Sequence, residues 1–385
     1  MDRLTSVRVP RPRRTGWVAL NFALVVLLAA AAVACGDDSS SEVSAGQESS
    51  PGSTAVGTEG ILGREFQAVA WTDSGLFVYG GRDPQIDGGD PLGGAALVNA
   101  ESGAVEALPE PPVPAPLATR SVAASTGADV LVFGELCESV AETEDTQLCA
   151  PGGLAGAVYS LDEGAWRPVE VPPELVEASD PRRPWIVQLL GVTDGGRIVL
   201  DLTLEGQRAV GDTPFWTFDP TNDEWTQLSD PGVTVDEACL AGGRIAVSSS
   251  LVDDNFVYSD VTLNVLTVDE GASDWTQGSP LQETRWAERP HLYCGEDFGV
   301  VYGNADVGPR AAFRQQLAAG EEWLPLEPIP DTVTPYGSAS TGESLVLFGL
   351  EIRAVELAAD GEGWRPLDLP PWRESVPPVW TGDAF

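Results

Sequence analysis

The chain begins with one long apolar run, Trp17 through Ala34 interrupted only by Asn21, and then turns polar and aperiodic from Gly36 to Gly60. From Phe66 onward the pattern changes again, and short continuous apolar runs recur. They are Gly75-Leu-Phe-Val-Tyr-Gly-Gly81, Asp129-Val-Leu-Val-Phe-Gly134, Arg197-Ile-Val-Leu200, Arg244-Ile-Ala-Val247, Phe298-Gly-Val-Val-Tyr-Gly303 and Ser344-Leu-Val-Leu-Phe-Gly349. Runs of this length, bounded by Gly and Asp, predict strands buried on both faces. Each follows a β-rich run and a hairpin turn. Each leads through a variable loop to a third strand, an acidic or Gly turn, and a Trp with a Pro-rich exit. The exits start at Trp166, Trp225, Trp275, Trp323 and Trp364, with Val105 in the Trp position of the first unit. The Trp spacings are 59, 50, 48 and 41 residues, so insertions fall in loops while the strand set persists. Four short strands per unit of this size is the repeat signature of a propeller blade.

Three features make the repeat more specific: the apolar run closed by Gly80-Gly81, the turn Asp219-Pro-Thr-Asn-Asp-Glu-Trp225, and the exit Trp166-Arg-Pro-Val-Glu-Val-Pro-Pro173. Together they resemble kelch repeats, such as those of the galactose oxidase central domain, although only Gly80-Gly81 keeps the full double glycine. The resemblance covers roughly 66–385. It implies an all-β fold, a β-propeller of four-stranded blades with six legible repeats (six or seven blades), after a disordered N-terminal segment. Val376-Pro-Pro-Val-Trp-Thr-Gly-Asp-Ala-Phe385 restarts the pattern of Val69-Ala-Trp-Thr-Asp-Ser-Gly-Leu-Phe77, which implies ring closure by a terminal strand and no exposed sheet edge. The exit Trp side chains are expected to pack between blades.

The amino-terminal pattern reads as an export signal, an Arg-rich start followed by the apolar run. The sequence Ala31-Ala32-Val33-Ala34-Cys35, followed at once by Gly36-Asp37-Asp38, resembles a bacterial lipobox, with Ala32 where that pattern prefers Leu. The resemblance implies cleavage before Cys35 and a diacylglyceryl thioether on its sulfur. At roughly 0.8 kcal/mol per buried CH₂, two acyl chains hold a protein at a bilayer where one does not. The expected organisation is therefore a lipoprotein signal peptide (1–34), a lipidated Cys with a disordered Ser/Gly-rich tether (35–60), and the propeller (61–385). A tether of this composition has an r.m.s. reach of roughly 25–30 Å. It would hold the propeller off the outer face of the bacterial cell membrane.

Five Cys are present, and lipidation of Cys35 leaves an even number for pairing. Cys137 and Cys149 are expected to form a local disulfide across the acidic loop Glu138–Asp145. Cys239 and Cys294 occupy the same position in neighbouring repeats, the first strand, where adjacent blades converge. A second disulfide is expected there, as an oxidising compartment permits.

Charge narrows the choice of partners. The formal net charge is −38. Residues 1–34 carry Arg3, Arg8, Arg11, Arg13 and Arg14 against Asp2, a net of +4 that leaves −42 beyond them. A chain this acidic repels phosphate backbones and anionic lipid surfaces, so no nucleic acid is expected and membrane attachment falls to the lipid anchor. All 21 basic side chains are Arg, as a GC-rich genome would encode.

No constellation of catalytic residues appears. The one histidine, His291, lies in a first strand beside Cys294 and is expected to be a satisfied core or channel residue. It nearly excludes His-based metal sites and leaves a Ser-His-Asp mechanism dependent on a single side chain. Asp83, Asp87 and Asp90 in the Gly-rich loop Arg82–Asp90 are a weak candidate for Ca²⁺, whose hardness suits oxygen ligands. Glu138–Asp145 and Asp253-Asp254 with Asp260 rank below it. No cofactor is expected. Ser160-Leu-Asp-Glu-Gly-Ala-Trp166 is one residue short of the Asp-box turn of sialidases, whose chemistry would also need an arginine cluster, with Arg310 and Arg314 as candidates. The expected function is a monomeric, non-catalytic binding or scaffolding module for an extracellular protein, peptide or glycan. The alternative is an extracellular sialidase-like glycoside hydrolase.

Overall fold

In each repeat the apolar run becomes the second strand of a four-stranded antiparallel sheet, and the flanking runs pair outward from it. A computed structural model describes residues 67–367 except 82–91, 100–101, 115–116, 118–120, 144–145, 179–182, 206–214, 269–273, 283, 296, 307–309, 318–321, 331–334, 341–343, 350–352 and 359–362. Cys35, Asp83, Asp87 and Asp90 therefore lie outside the described residues, as does the terminal stretch 376–385. The sheets belong to one unit, Ala55–Ala100 with Ala104–Phe385.

Among the described residues there are six four-stranded sheets, each made of consecutive strands. Sheet 1 holds β1 (Ala68–Thr72), β2 (Gly75–Tyr79), β3 (Ala95–Val98) and β4 (Val105–Ala107). Sheet 2 holds β5 (Val122–Ser125), β6 (Asp129–Thr143), β7 (Thr146–Ser160) and β8 (Ala165–Pro168), and a short helix α1 (Pro173–Ala178) follows it. Sheet 3 holds β9 (Trp185–Val192), β10 (Ile198–Leu204), β11 (Phe215–Asp219) and β12 (Glu224–Gln227). Sheet 4 holds β13 (Glu237–Ala241), β14 (Arg244–Val252), β15 (Tyr258–Thr267) and β16 (Thr276–Gln277). Sheet 5 holds β17 (His291–Cys294), β18 (Phe298–Asn304), β19 (Arg310–Gln316) and β20 (Leu324–Leu326). Sheet 6 holds β21 (Pro335–Ser340), β22 (Ser344–Gly349), β23 (Arg353–Ala358) and β24 (Arg365–Leu367). The first strands β1, β5, β9, β13, β17 and β21 lie side by side in that order. Meander sheets arrayed about their innermost strands make a β-propeller.

The core sits between sheets. Five clusters each combine buried residues of two successive sheets. One example is Leu131, Phe133 and Val158 of sheet 2 with Ile198, Leu200 and Phe218 of sheet 3. Both faces of a blade are covered, which is why the second strands read as continuous apolar runs; β10 is buried along its whole length. Burying side chains of this size contributes about 1.5–3 kcal/mol each.

One expectation changes. The stretch from Glu138 to Thr143, expected to lie in a loop, is strand, because β6 and β7 continue pairing as far as Thr143 opposite Thr146. Backbone pairing extends a hairpin past its apolar run, and hydrophobic periodicity cannot mark where it stops. Each of the six sheets contains four consecutive strands of the described residues, and the stretch expected to close the ring lies outside them.

The exit Trp residues do pack between blades: Trp166 against Phe77, Trp225 against Phe133 and Trp275 against Phe215, with ring centroids 5.1–6.1 Å apart. A hydrogen bond not anticipated from the sequence accompanies the packing. The indole N–H of Trp166 donates to the carbonyl of Pro109 at 2.7 Å, Trp275 to Ser229 at 2.8 Å, Trp323 to Ser279 at 2.8 Å, and Trp364 to Glu327 at 3.0 Å. Each acceptor lies four residues beyond the Trp position of the preceding blade. At the third blade the latch is missing, and the buried Trp225 Nε1 has no acceptor among the described residues. There the preceding exit runs through Pro172-Pro173 into α1, and Arg167 reaches across instead. Its guanidinium bonds Asp223 Oδ1 at 2.7 Å and the carbonyl of Pro220. The turn it grips is built by Asp219, whose carboxylate accepts from the amides of Thr221 and Asn222.

Candidate binding face

Antiparallel order brings the start of every first strand and the end of every second strand to the same end of its sheet. In sheets 4 and 5 that end carries a set of charged and aromatic side chains linked across the two blades. Glu237 opens β13, and its two carboxylate oxygens both reach the neighbouring blade. Oε1 meets His291 Nδ1 at 2.8 Å, and Oε2 accepts the amide of Leu292 at 2.6 Å. The imidazole pKa is raised from its ordinary value, first by the hydrogen bond to Glu237 and against a smaller opposing effect of burial. The pair therefore favours an imidazolium clamped between blades. Tyr293 stacks beside His291 with centroids 6.3 Å apart, and burial pushes its phenol well above the usual range. Asp236, buried next to Glu237, accepts the Ser250 hydroxyl and lies 3.8 Å from Arg289.

The segment before β17 stitches the two blades together. Trp286 exchanges backbone hydrogen bonds with Tyr258 of sheet 4, while Ala287 and Arg285 bond Asn304 and Asp306 of sheet 5. The Trp286 side chain is fully buried and meets Phe313 edge-on. On this base stands the β14–β15 hairpin. The Phe256 amide donates to the carbonyl of Asp253, and the Asp253 amide to that of Val257, so a tight turn ends at residue 256. Asp253 Oδ1 also accepts from the amides of Asn255 and Val257, and Oδ2 binds Arg285 at 2.8 Å. Those backbone bonds, from Val257 and then Asn255, lower the Asp253 pKa.

The residue closing this turn is Phe256, at φ +60°. That is the left-handed position which hairpins of this kind usually give to Gly or Asn. For an L-residue with a bulky side chain the conformation costs roughly 1–2 kcal/mol. The ring is nevertheless 76% exposed, and Leu251 and Val252 beside it are 65% and 50% exposed. Asp254 and Asp260 border the apolar tip, both exposed.

The residues singled out from the sequence fall as follows. Cys239 and Cys294 form a disulfide with Cα atoms 5.9 Å apart, joining the first strands β13 and β17. Cys137 is disulfide-bonded; the side chain of Cys149 lies outside the described residues. His291 is satisfied, by Glu237, but sits half-exposed at the rim rather than in the core. Arg310 donates to Asn304 Oδ1, while Arg314 lies over the Phe298 ring within its own blade. Asp253 braces a turn, and no group of three metal-ligating side chains occurs among the described residues. Sequence reasoning passed over Glu237 and Phe256. Phe256 carried a signal, since an aromatic residue follows Asp-Asp-Asn where a turn calls for Gly.

No family model matches the chain, and no curated protein matches it. Among solved structures it is similar to the Kuenenia stuttgartiensis hydrazine synthase at TM-score 0.45 and 13% identity, over 80% of each chain. It is also similar to the tricorn protease at TM-score 0.40 and 8% identity, over 80% of this chain and 27% of that one. No helix of the described residues is long and apolar enough to cross a membrane.

Proposed function

We propose that the chain is an exported, lipid-anchored kelch-type propeller that binds an extracellular protein, peptide or glycan without transforming it. The observation that carries this reading is how the rim of sheets 4 and 5 uses its ionisable groups. Glu237, Asp253, Arg285 and Arg289 hold segments of the rim to one another. What the rim turns outward is an apolar hairpin tip. Rigid frames that present shaped loops in this way serve recognition. The Cys239–Cys294 disulfide fits an oxidising compartment outside the cytoplasm. Anchoring rests on Cys35 and the apolar run before it.

Two experiments test the reading. Metabolic labelling with a tagged fatty acid should mark the wild-type chain and not Cys35→Ala, and an unmarked wild-type chain would remove the anchor. A glycan array run beside a panel of chromogenic glycosides should give binding or silence on the array and no turnover. Turnover abolished by a single carboxylate substitution would replace binding with glycoside hydrolysis.

A further inference from the structure

We propose that the tip of the β14–β15 hairpin is the anchor of the binding face, and that its partner is a basic protein surface with an apolar pocket. The inference rests on the binding reading above and names the partner for it. Its starting point is the conflict at Phe256. A residue with φ +60° is most easily Gly or Asn, yet this chain places there an aromatic ring that is 76% exposed and packs into no described cluster. A side chain that strains the backbone and stays in water has no folding reason to be Phe. Such outliers persist where the surroundings over-determine them, and they mark sites whose geometry is used. Here Asp253 and Arg285 supply the over-determination, and the Trp286 stitch fixes the hairpin base. Leu251 and Val252 widen the apolar surface, and aromatic side chains that fill a pocket on a partner are enriched at interfaces and among their hot spots.

Charge selects the occupant. The exposed carboxylates Asp254 and Asp260 border the tip, and Arg285, which holds its turn, is engaged by Asp253 and by Asp306. The chain as a whole carries −38. An anionic lipid surface or a second copy of the chain would be repelled, whereas a surface rimmed by Lys and Arg is attracted and steered onto the tip.

The test uses the full chain and four fluorescent peptides, read by anisotropy. They are a Leu–Lys amphipathic helix, its Leu–Glu counterpart, a Gly–Lys peptide of equal charge, and a neutral Leu–Gln helix. The Leu–Lys peptide should bind, the Gly–Lys and Leu–Gln peptides at least ten-fold more weakly, and the Leu–Glu peptide not at all. Phe256→Asn, which suits the left-handed position, should weaken Leu–Lys binding at least ten-fold with an unchanged or higher urea midpoint. Leu251→Ser, at a site without that strain, should weaken it in the same direction. Equal binding by wild type and Phe256→Asn would overturn the tip as anchor while leaving a binding propeller in place. Equal binding of Gly–Lys and Leu–Lys would reduce the contact to bulk charge and also overturn it. Self-association in sedimentation that disappears in Phe256→Asn would overturn the basic partner in favour of a second copy. Failure of the binding reading itself would look different: glycoside turnover that Phe256→Asn leaves intact and a carboxylate substitution abolishes.

Discussion

Replacing Trp275 by its benzothienyl isostere, which exchanges the indole N–H for sulfur at nearly constant shape, isolates the latch between blades. The ring keeps its packing against Phe215, with centroids 5.9 Å apart, and loses only the 2.8 Å hydrogen bond to the Ser229 carbonyl. A neutral hydrogen bond contributes about 1 kcal/mol net, and this one is partly buried, so water replaces it incompletely. With a urea m-value of about 3 kcal/mol/M or more for a chain of this size, the midpoint should fall by roughly 0.3 M or less. The same isostere at Trp166, Trp323 or Trp364 should cost less, because those bonds are exposed. At Trp225, whose Nε1 has no acceptor among the described residues, it should cost nothing. Urea denaturation followed by circular dichroism reads all five. A Trp275 isostere with the wild-type midpoint would refute the latch, and so would a Trp225 isostere as costly as that of Trp275.

Four further outcomes are expected. Cys239→Ala with Cys294→Ala should destabilise the fold by about 4 kcal/mol, the loop-entropy value for a separation of 55 residues; a loss below about 1 kcal/mol in urea would contradict it. The single imidazole resonance should titrate above pH 6.5 and move down in Glu237→Gln. Because the folded pKa is raised, the pair stabilises fully below pH 6.5 and its contribution disappears as the pH rises through the folded pKa; a midpoint unaffected by Glu237→Gln would break the link. Arg167→Ala should cost no more than about 1 kcal/mol, since its ion pair with Asp223 is well exposed. It should also speed hydrogen exchange at the Asp219–Asp223 turn, and unchanged exchange there would show that the guanidinium does not hold the turn. Phe256→Asn should leave the urea midpoint unchanged or raise it, and a clear drop would mean the ring supports the fold.

Much of the architecture is legible one residue at a time. The second strands fall where the apolar runs are, from Gly75–Tyr79 to Ser344–Gly349, because a strand covered on both faces must be apolar at every position. The pairing of Cys239 with Cys294 follows from repeat register alone, since equivalent first strands lie side by side. The rim was far less legible. Glu237 looks like one of 59 acidic residues until β13 and β17 are placed together, and His291 could not be separated from a core histidine.

The sequence by itself determined the blade. Periodicity, turn residues and apolar runs are local, and they specify four strands and a Trp without reference to any other repeat. Beyond the Cys239–Cys294 disulfide and the packing of the exit Trp rings, only the tertiary structure decided what joins one blade to the next. The indole latches, the Arg167 substitute at the third blade and the grip of Glu237 on its neighbour link residues 37–57 positions apart in the chain. Their geometry exists only once two complete sheets have packed. The left-handed φ of Phe256 is local to its own turn, but the ties that hold that turn to the neighbouring blade, through Arg285 and Trp286, belong to the same class.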